Sequence, residues 1–111
     1  MSKLAKKKCV PCEGGVEPLY PEQSEVLLKE LNQEWMLIDQ CRILARTFIF
    51  KDFKQALVFA NKIGAIAEEE QHHPDLTLGY GNVGVELTTH AIGGLSENDF
   101  IVAAKIDEIK K

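Results

Sequence analysis

Two periods of apolar residues alternate along the chain, and the points where one gives way to the other delimit seven predicted elements. From Glu22 to Leu31, the residues Val26, Leu27 and Leu31 share one side of a short helix with acids in its first turn. Trp35–Ile38 and Arg42–Phe50 read as strands joined by a tight turn at Asp39-Gln40; the second carries the β-branched and aromatic residues that strands favour. Its Leu44, Arg46, Phe48 and Phe50 fall on one face and Ile43, Ala45, Thr47 and Ile49 on the other. With both faces largely apolar, the strand is expected to be covered twice, the second time by another subunit. Asp52 with Gln55 forms a capping-box pattern opening a long helix to about Gln71, whose stripe is Ala56, Ala60, Ile63 and Ala67, widened by Phe59 and Ile66. Pro74 disfavours helical geometry at His73 and stops it.

Leu76–Gly79 is a short strand, Gly81-Asn82 a turn, and Asn82–His90 alternates cleanly, with Val83, Val85, Leu87 and Thr89 on one face. After Gly93-Gly94, Ser96 caps a last helix with Asp99 in the capping-box position and Phe100, Ala103, Ala104 and Ile106 as its stripe. Strands joined by such short connections pair antiparallel. The expected architecture is an α+β two-layer sandwich: an antiparallel four-stranded sheet with three helices on one face, in the order α-β-β-α-β-β-α. Residues 1–21, rich in lysine, proline and glycine, read as a partly irregular N-terminal extension, and residues 22–111 as a single domain.

Length agrees: 111 residues suffice for one core without disulfides or a structural metal. No purely apolar run exceeds that of Ala56–Ala60, far short of the roughly 20 residues a membrane helix needs, and no secretory signal opens the chain. A cytoplasmic protein without membrane contact is expected. The net charge is −4, yet Met1–Lys8 holds four lysines and no acid, so the body is strongly acidic and a poor partner for nucleic acid. Cys9, Cys12 and Cys41 have no disulfide-framework spacing, and Cys9-x-x-Cys12 lacks the second pair or thioredoxin-like context that marks a metal or redox site.

All three histidines, His72, His73 and His90, fall in one short stretch. The first two sit where the long helix stops and, in an extended segment, point opposite ways; His90 ends a strand on the face away from the apolar set. Glu68 precedes His72 by four residues and lies about 20° from Leu57 at about 100° per residue, on the border of the apolar stripe, while Glu69 points into solvent. A carboxylate there can orient an imidazole or accept hydrogen bonds from a ligand. The same residues admit blander readings: imidazoles at a helix C-terminus suit its dipole, and His72, His73, His90 and Glu68 are permissible zinc ligands. Adjacent histidines lack the i, i+4 spacing that aligns ligands on a helix, so no metal is expected. No nucleophile elbow, phosphate loop or dinucleotide fingerprint is present.

Glu68-x-x-x-His72-His73-Pro74, Tyr80, Val83/Val85/Leu87 and Thr88-Thr89-His90 together resemble the signature of the pterin-4a-carbinolamine dehydratases. Trp35, Leu44-x-Arg46-x-Phe48-x-Phe50, Phe53, Ala56, Phe59 and Gly94-Leu95-Ser96-Glu97-x-Asp99 extend the resemblance over roughly Glu22 to Lys110. The resemblance implies the same α-β-β-α-β-β-α order and removal of water from a 4a-hydroxytetrahydropterin to give quinonoid dihydropterin, in tetrahydrobiopterin recycling. It implies no cofactor, since the pterin is the substrate. It assigns catalysis to His72, His73, His90 and Glu68, with His73 and His90 exchanging protons while Glu68 and His72 hold the pterin. Thr88, Thr89 and Asp99 are implied on the substrate side, Asp99 helping to orient the cluster. Imidazole, with an ordinary pKa of about 6.5, can give or take a proton at neutral pH. Leu76 and Ile92 depart from residues common in the family and bear on the pocket rim.

The resemblance also implies a homo-oligomer, dimer or tetramer, for which the long helix's apolar stripe is the candidate surface. Two other readings travel with it: a non-enzymatic protein-binding module, as in animal members that stabilise a transcription factor's dimerisation segment, and a pterin enzyme of molybdopterin-related metabolism.

Overall fold

The structure, a computed structural model, describes residues 4–9 and 17–109. Helix α1 spans Pro21–Leu28, strand β1 Met36–Ile38, β2 Ile43–Ile49, helix α2 Phe53–Glu70, β3 Asp75–Gly79, β4 Asn82–Leu87 and helix α3 Glu97–Asp107. The sheet runs β1-β2-β4-β3 with every neighbour antiparallel, as the hairpin reading requires. Leu44 and Phe48 of β2 and Val83, Val85 and Leu87 of β4 are buried toward the helices. Ala56, Phe59, Ile63 and Ala67 of α2 meet them in the same core, with Phe48, Phe50 and Phe59 in ring contact.

Local chemistry sets the ends of the elements. Asp52 accepts the Gln55 backbone N–H at 2.9 Å and starts α2. Ser96 and Asp99 form the expected reciprocal box at the start of α3. Gln71 closes α2 in the left-handed conformation (φ 54°, ψ 38°), which turns the chain out of the helix three residues before Pro74.

The structure differs from the sequence reading at several points. The chain covers β2 on one face only: Ile49 is 76% exposed, and Met36, which pairs across the sheet with Ala45, is exposed too. The stripe of α2 is spent on the core, leaving Phe53, Leu57 and Val58 as its large exposed apolar residues. Strand β4 ends at Leu87, because Thr89 bridges to Gly94 and His90–Ile92 forms a 3₁₀ turn closed by left-handed Gly93. Helix α3 is buried on almost every side. A 3₁₀ turn at Leu4–Lys6 packs on it, with Leu4 and Ala5 buried and Lys105 Nζ donating to the Ala5 carbonyl at 2.9 Å.

Arg46, expected on the same face as Leu44 and Phe48, reaches across the layers. Its Nη1 donates to Asp107 Oδ1 at 2.8 Å, where Trp35 Nε1 also donates at 2.7 Å, and its guanidinium lies 4.1 Å from the Phe48 ring centre.

Candidate active site

The left-handed residue Gln71 and the following proline give His72 and His73 opposite directions. His72 turns inward, and its Nε2 lies 2.6 Å from Asp99 Oδ1 on α3. The Asp99 side chain is fully buried. Its second oxygen accepts the Ser96 backbone N–H at 2.9 Å and the Thr89 hydroxyl at 2.8 Å. One carboxylate therefore ties the end of α2, the chain after β4 and the start of α3 to one point. The contact orders the ring through Nε2 and leaves Nδ1 as its other nitrogen.

His73 turns outward, its Nε2 2.5 Å from Glu68 Oε2, with both side chains more than half exposed. The sequence reading paired Glu68 with His72 at helical spacing on the stripe's border. The left-handed turn brings His73 to it instead, and Glu68 stands in solvent, outside the lining of the cleft.

His72, His73 and His90 line a cleft of about 660 Å³ between the end of α2, the 3₁₀ turn and the start of α3. Its size falls within the roughly 300–1,000 Å³ usual for small-molecule sites. His90 enters from the 3₁₀ turn rather than from a strand, and no described residue hydrogen-bonds to its ring. Thr88 and Thr89 line the cleft as well, but both hydroxyls are engaged: Thr88 Oγ1 donates to the Arg42 carbonyl at 2.7 Å, and Thr89 holds Asp99. Asp99 lies beneath the lining, in contact with His72 rather than with the open space. Glu69, read as solvent-facing, stands on the cleft's rim. Cys12 lies outside the described residues, and among those described no three His, Cys, Asp or Glu side chains are grouped to hold a metal ion.

Among the lining residues that sequence reasoning did not assign to the site are Cys9 and Glu70. Glu70 is buried although it ends α2, where the helix dipole disfavours an anion. Burial raises its pKa, but the Cys9 N–H, which donates to Oε1 at 2.9 Å, and the nearby Lys105 and Lys8 outweigh that and hold it below the usual carboxylate value. The signal was present: Glu70 follows Ile63 by seven residues and so continues the buried stripe.

A larger hollow, about 810 Å³, opens beside the start of α2 and is lined by Phe50, Lys51, Asp52, Lys54, Val58 and Lys62 among others. It holds no imidazole. The three histidines of the chain, whose side chains can ordinarily exchange a proton near neutral pH, all line the smaller cleft.

Comparison with known proteins agrees with the geometry. The family described as pterin 4 alpha carbinolamine dehydratase matches residues 17–109. A Nitrosomonas eutropha protein, named provisionally as a pterin-4-alpha-carbinolamine dehydratase, is 55% identical over 104 residues, covering 94% of this chain and 90% of its own. A Rubrobacter xylanophilus protein with the same name is 47% identical over 109 residues, covering 98% and 100%. Among solved structures, a transcriptional coactivator/pterin dehydratase from Brucella melitensis superposes with a TM-score of 0.75 at 32% identity, over 81% of this chain and 95% of that one. A pterin dehydratase-like RuBisCO assembly factor of the alpha-carboxysome (TM-score 0.58, 24% identity, 67% of this chain and 86% of that one) shares the fold alone.

Proposed function

Because the chain belongs to the pterin-4a-carbinolamine dehydratase family, we propose that it is a hydro-lyase that dehydrates a 4a-hydroxytetrahydropterin to quinonoid dihydropterin. The observation that carries this reading is the joint presence in one cleft of three imidazoles in different settings: His72 fixed to a buried carboxylate, His73 paired with an exposed one, and His90 unpaired among the described residues. Loss of water breaks the C4a–O bond, with one proton delivered to the departing hydroxyl and one removed from N5. Two groups able to hold or release a proton near neutrality are needed, and they must act on different atoms of one flat ring.

In this reading His73 and His90, the more exposed pair, exchange those protons, and His72 is a fixed contact for the bicyclic ring. Asp99 acts through His72 and is a positioning residue. Glu68 orients His73 from solvent. Tetrahydrobiopterin recycling, a cytoplasmic location and self-association belong to the same proposal. No helix is long and apolar enough to cross a membrane among the described residues. The exposed Met36 and Ile49 on the open side of the sheet offer a second copy an apolar surface. The test is a stopped assay with chemically generated 4a-hydroxytetrahydropterin: the protein accelerates water loss, and a rate equal to the spontaneous one rejects the reading.

A further inference from the structure

One wall of the cleft comes from outside the residues that the family model matches. The family match begins at residue 17, yet Cys9 lines the cleft together with Glu70, His72 and Asn98. We infer that residues 4–9 form a strap, latched by Glu70 and Lys105 and anchored by Leu4, that walls the histidine cleft and strengthens its hold on the pterin. This rests on the pterin reading above and deepens it.

The latch is built from several independent contacts. Leu4 is 1% exposed, seated against α3, and Lys105 Nζ donates to the Ala5 carbonyl at 2.9 Å. Lys7 Nζ pairs with Glu97 Oε2 at 2.8 Å. At the cleft end, the Cys9 N–H donates to Glu70 Oε1 at 2.9 Å, and the Cys9 thiol lies 3.6 Å from the Asn98 carbonyl. Glu70 Oε2 is itself 3.6 Å from Lys105 Nζ, so one lysine braces both ends of the strap.

Glu70 gives this arrangement its meaning. A buried carboxylate at a helix C-terminus is unfavourable on two counts, desolvation and dipole. What offsets them is the strap's own amide and the lysine that also holds Ala5. Without the strap, Glu70 would be a poor choice for the last residue of α2, two positions before His72. Burial and the neighbouring Glu70 carboxylate push the Cys9 thiol up to about 12, so the closed strap keeps that thiol unreactive.

Since the strap contacts none of the imidazoles by hydrogen bond among the described residues, its effect falls on binding rather than on the chemical step. The test uses Leu4→Ser and Lys105→Met, two positions outside the cleft lining, each checked for retained secondary structure. Three quantities are read: kcat and KM for dehydration, the Kd of 7,8-dihydrobiopterin by fluorescence, and the iodoacetamide alkylation rate of Cys9 at pH 8, located by peptide mass. Freed, the thiol returns toward its ordinary pKa of about 8.5. Alkylation is expected to rise at least tenfold in both variants, KM and Kd to rise at least fivefold, and kcat to stay within about twofold. Saturating dihydrobiopterin should slow Cys9 alkylation in the unaltered protein.

Faster alkylation with unchanged KM and Kd would overturn the wall. Unchanged alkylation in both variants would overturn the latch. An unaltered protein that binds dihydrobiopterin without dehydrating its precursor would overturn the catalytic reading alone, the strap then being judged on Kd; one that neither binds nor turns over would overturn both.

Discussion

His72 donates through Nε2 to Asp99 at 2.6 Å, and the carboxylate that receives it has no solvent exposure at all. Its other oxygen is taken by Ser96 and Thr89, so Asp99 has no freedom to turn. A ring held this way presents one fixed nitrogen to the cleft. Such charge-assisted bonds are about twice as strong as neutral ones, and here the carboxylate is shut away from solvent.

Asp99→Asn tests this relationship. The amide oxygen is expected to keep the Ser96 and Thr89 donors, which leaves the NH₂ group facing His72 and forces the ring into the opposite tautomer. Dehydration should fall by roughly 10–100-fold, with unfolding stability lower by about 1.5–3 kcal/mol, the usual scale for a lost bond to a charged group. Turnover within twofold of the unaltered protein would remove Asp99 from the positioning role.

His73→Ala and His90→Ala should each slow dehydration by roughly 10²–10⁴-fold, the scale for a lost general acid or base, with circular dichroism and oligomer mass unchanged. Glu68→Gln should do far less, under about tenfold. The His73–Glu68 pair is short, but its side chains are 55% and 75% exposed, and solvent-screened pairs are worth about 0–1 kcal/mol. The contrast between Asp99 and Glu68 is the informative one: both carboxylates touch an imidazole, and burial alone separates their expected effects. Steady-state rates on the four variants measure it.

What could be read from the sequence was whatever a side-chain period or a cap announces. The Val83/Val85/Leu87 alternation, the Asp52 and Ser96 caps and the Pro74 stop led to the correct sheet and helices because each acts locally. The convergence of the three histidines on one cleft was legible, but their pairing was not. Glu68 meets His73 instead of His72 because Gln71 adopts a left-handed conformation more often taken by glycine or asparagine, a backbone choice that no side-chain pattern signals. His90 left the strand because Thr89 pairs with Gly94, a contact set by the tertiary position of the loop. Leu4 stands alone among lysines and has no period, so its place in the core follows only from the surface that α3 leaves open to it.

Glu70 sets a dependence on acid. Its folded pKa lies below the ordinary carboxylate value, so its ionised form contributes stability above that value and loses it as pH falls through the lowered one. The groups facing it are the Cys9 amide and thiol, Lys105 and Lys8. Glu70→Gln should therefore be less stable than the unaltered protein at pH 7, with a narrower gap at pH 3, because protonation of the carboxyl removes its charge as pH falls. Urea unfolding at the two pH values measures this, and an equal gap at both would show that Glu70's charge contributes nothing.

The Arg46–Asp107 pair predicts a different asymmetry. Its side chains are 8% and 17% exposed, and Asp107 also accepts from Trp35 Nε1 and from the Asn32 backbone N–H. Removing the acid strands a cation between the layers together with two unsatisfied donors, so Asp107→Ala should cost about 3–5 kcal/mol. Replacing the cation is milder. In Arg46→Met a flexible apolar chain takes the place of the guanidinium over Phe48, and Asp107 keeps two donors, so the loss should stay below about 2 kcal/mol. In the double variant Arg46→Met/Asp107→Ala no stranded charge remains, and the combined loss should be smaller than the sum of the single losses. Urea denaturation of the three variants closes the cycle. Strict additivity would mean that the two side chains, 2.8 Å apart, stabilise the fold independently of one another.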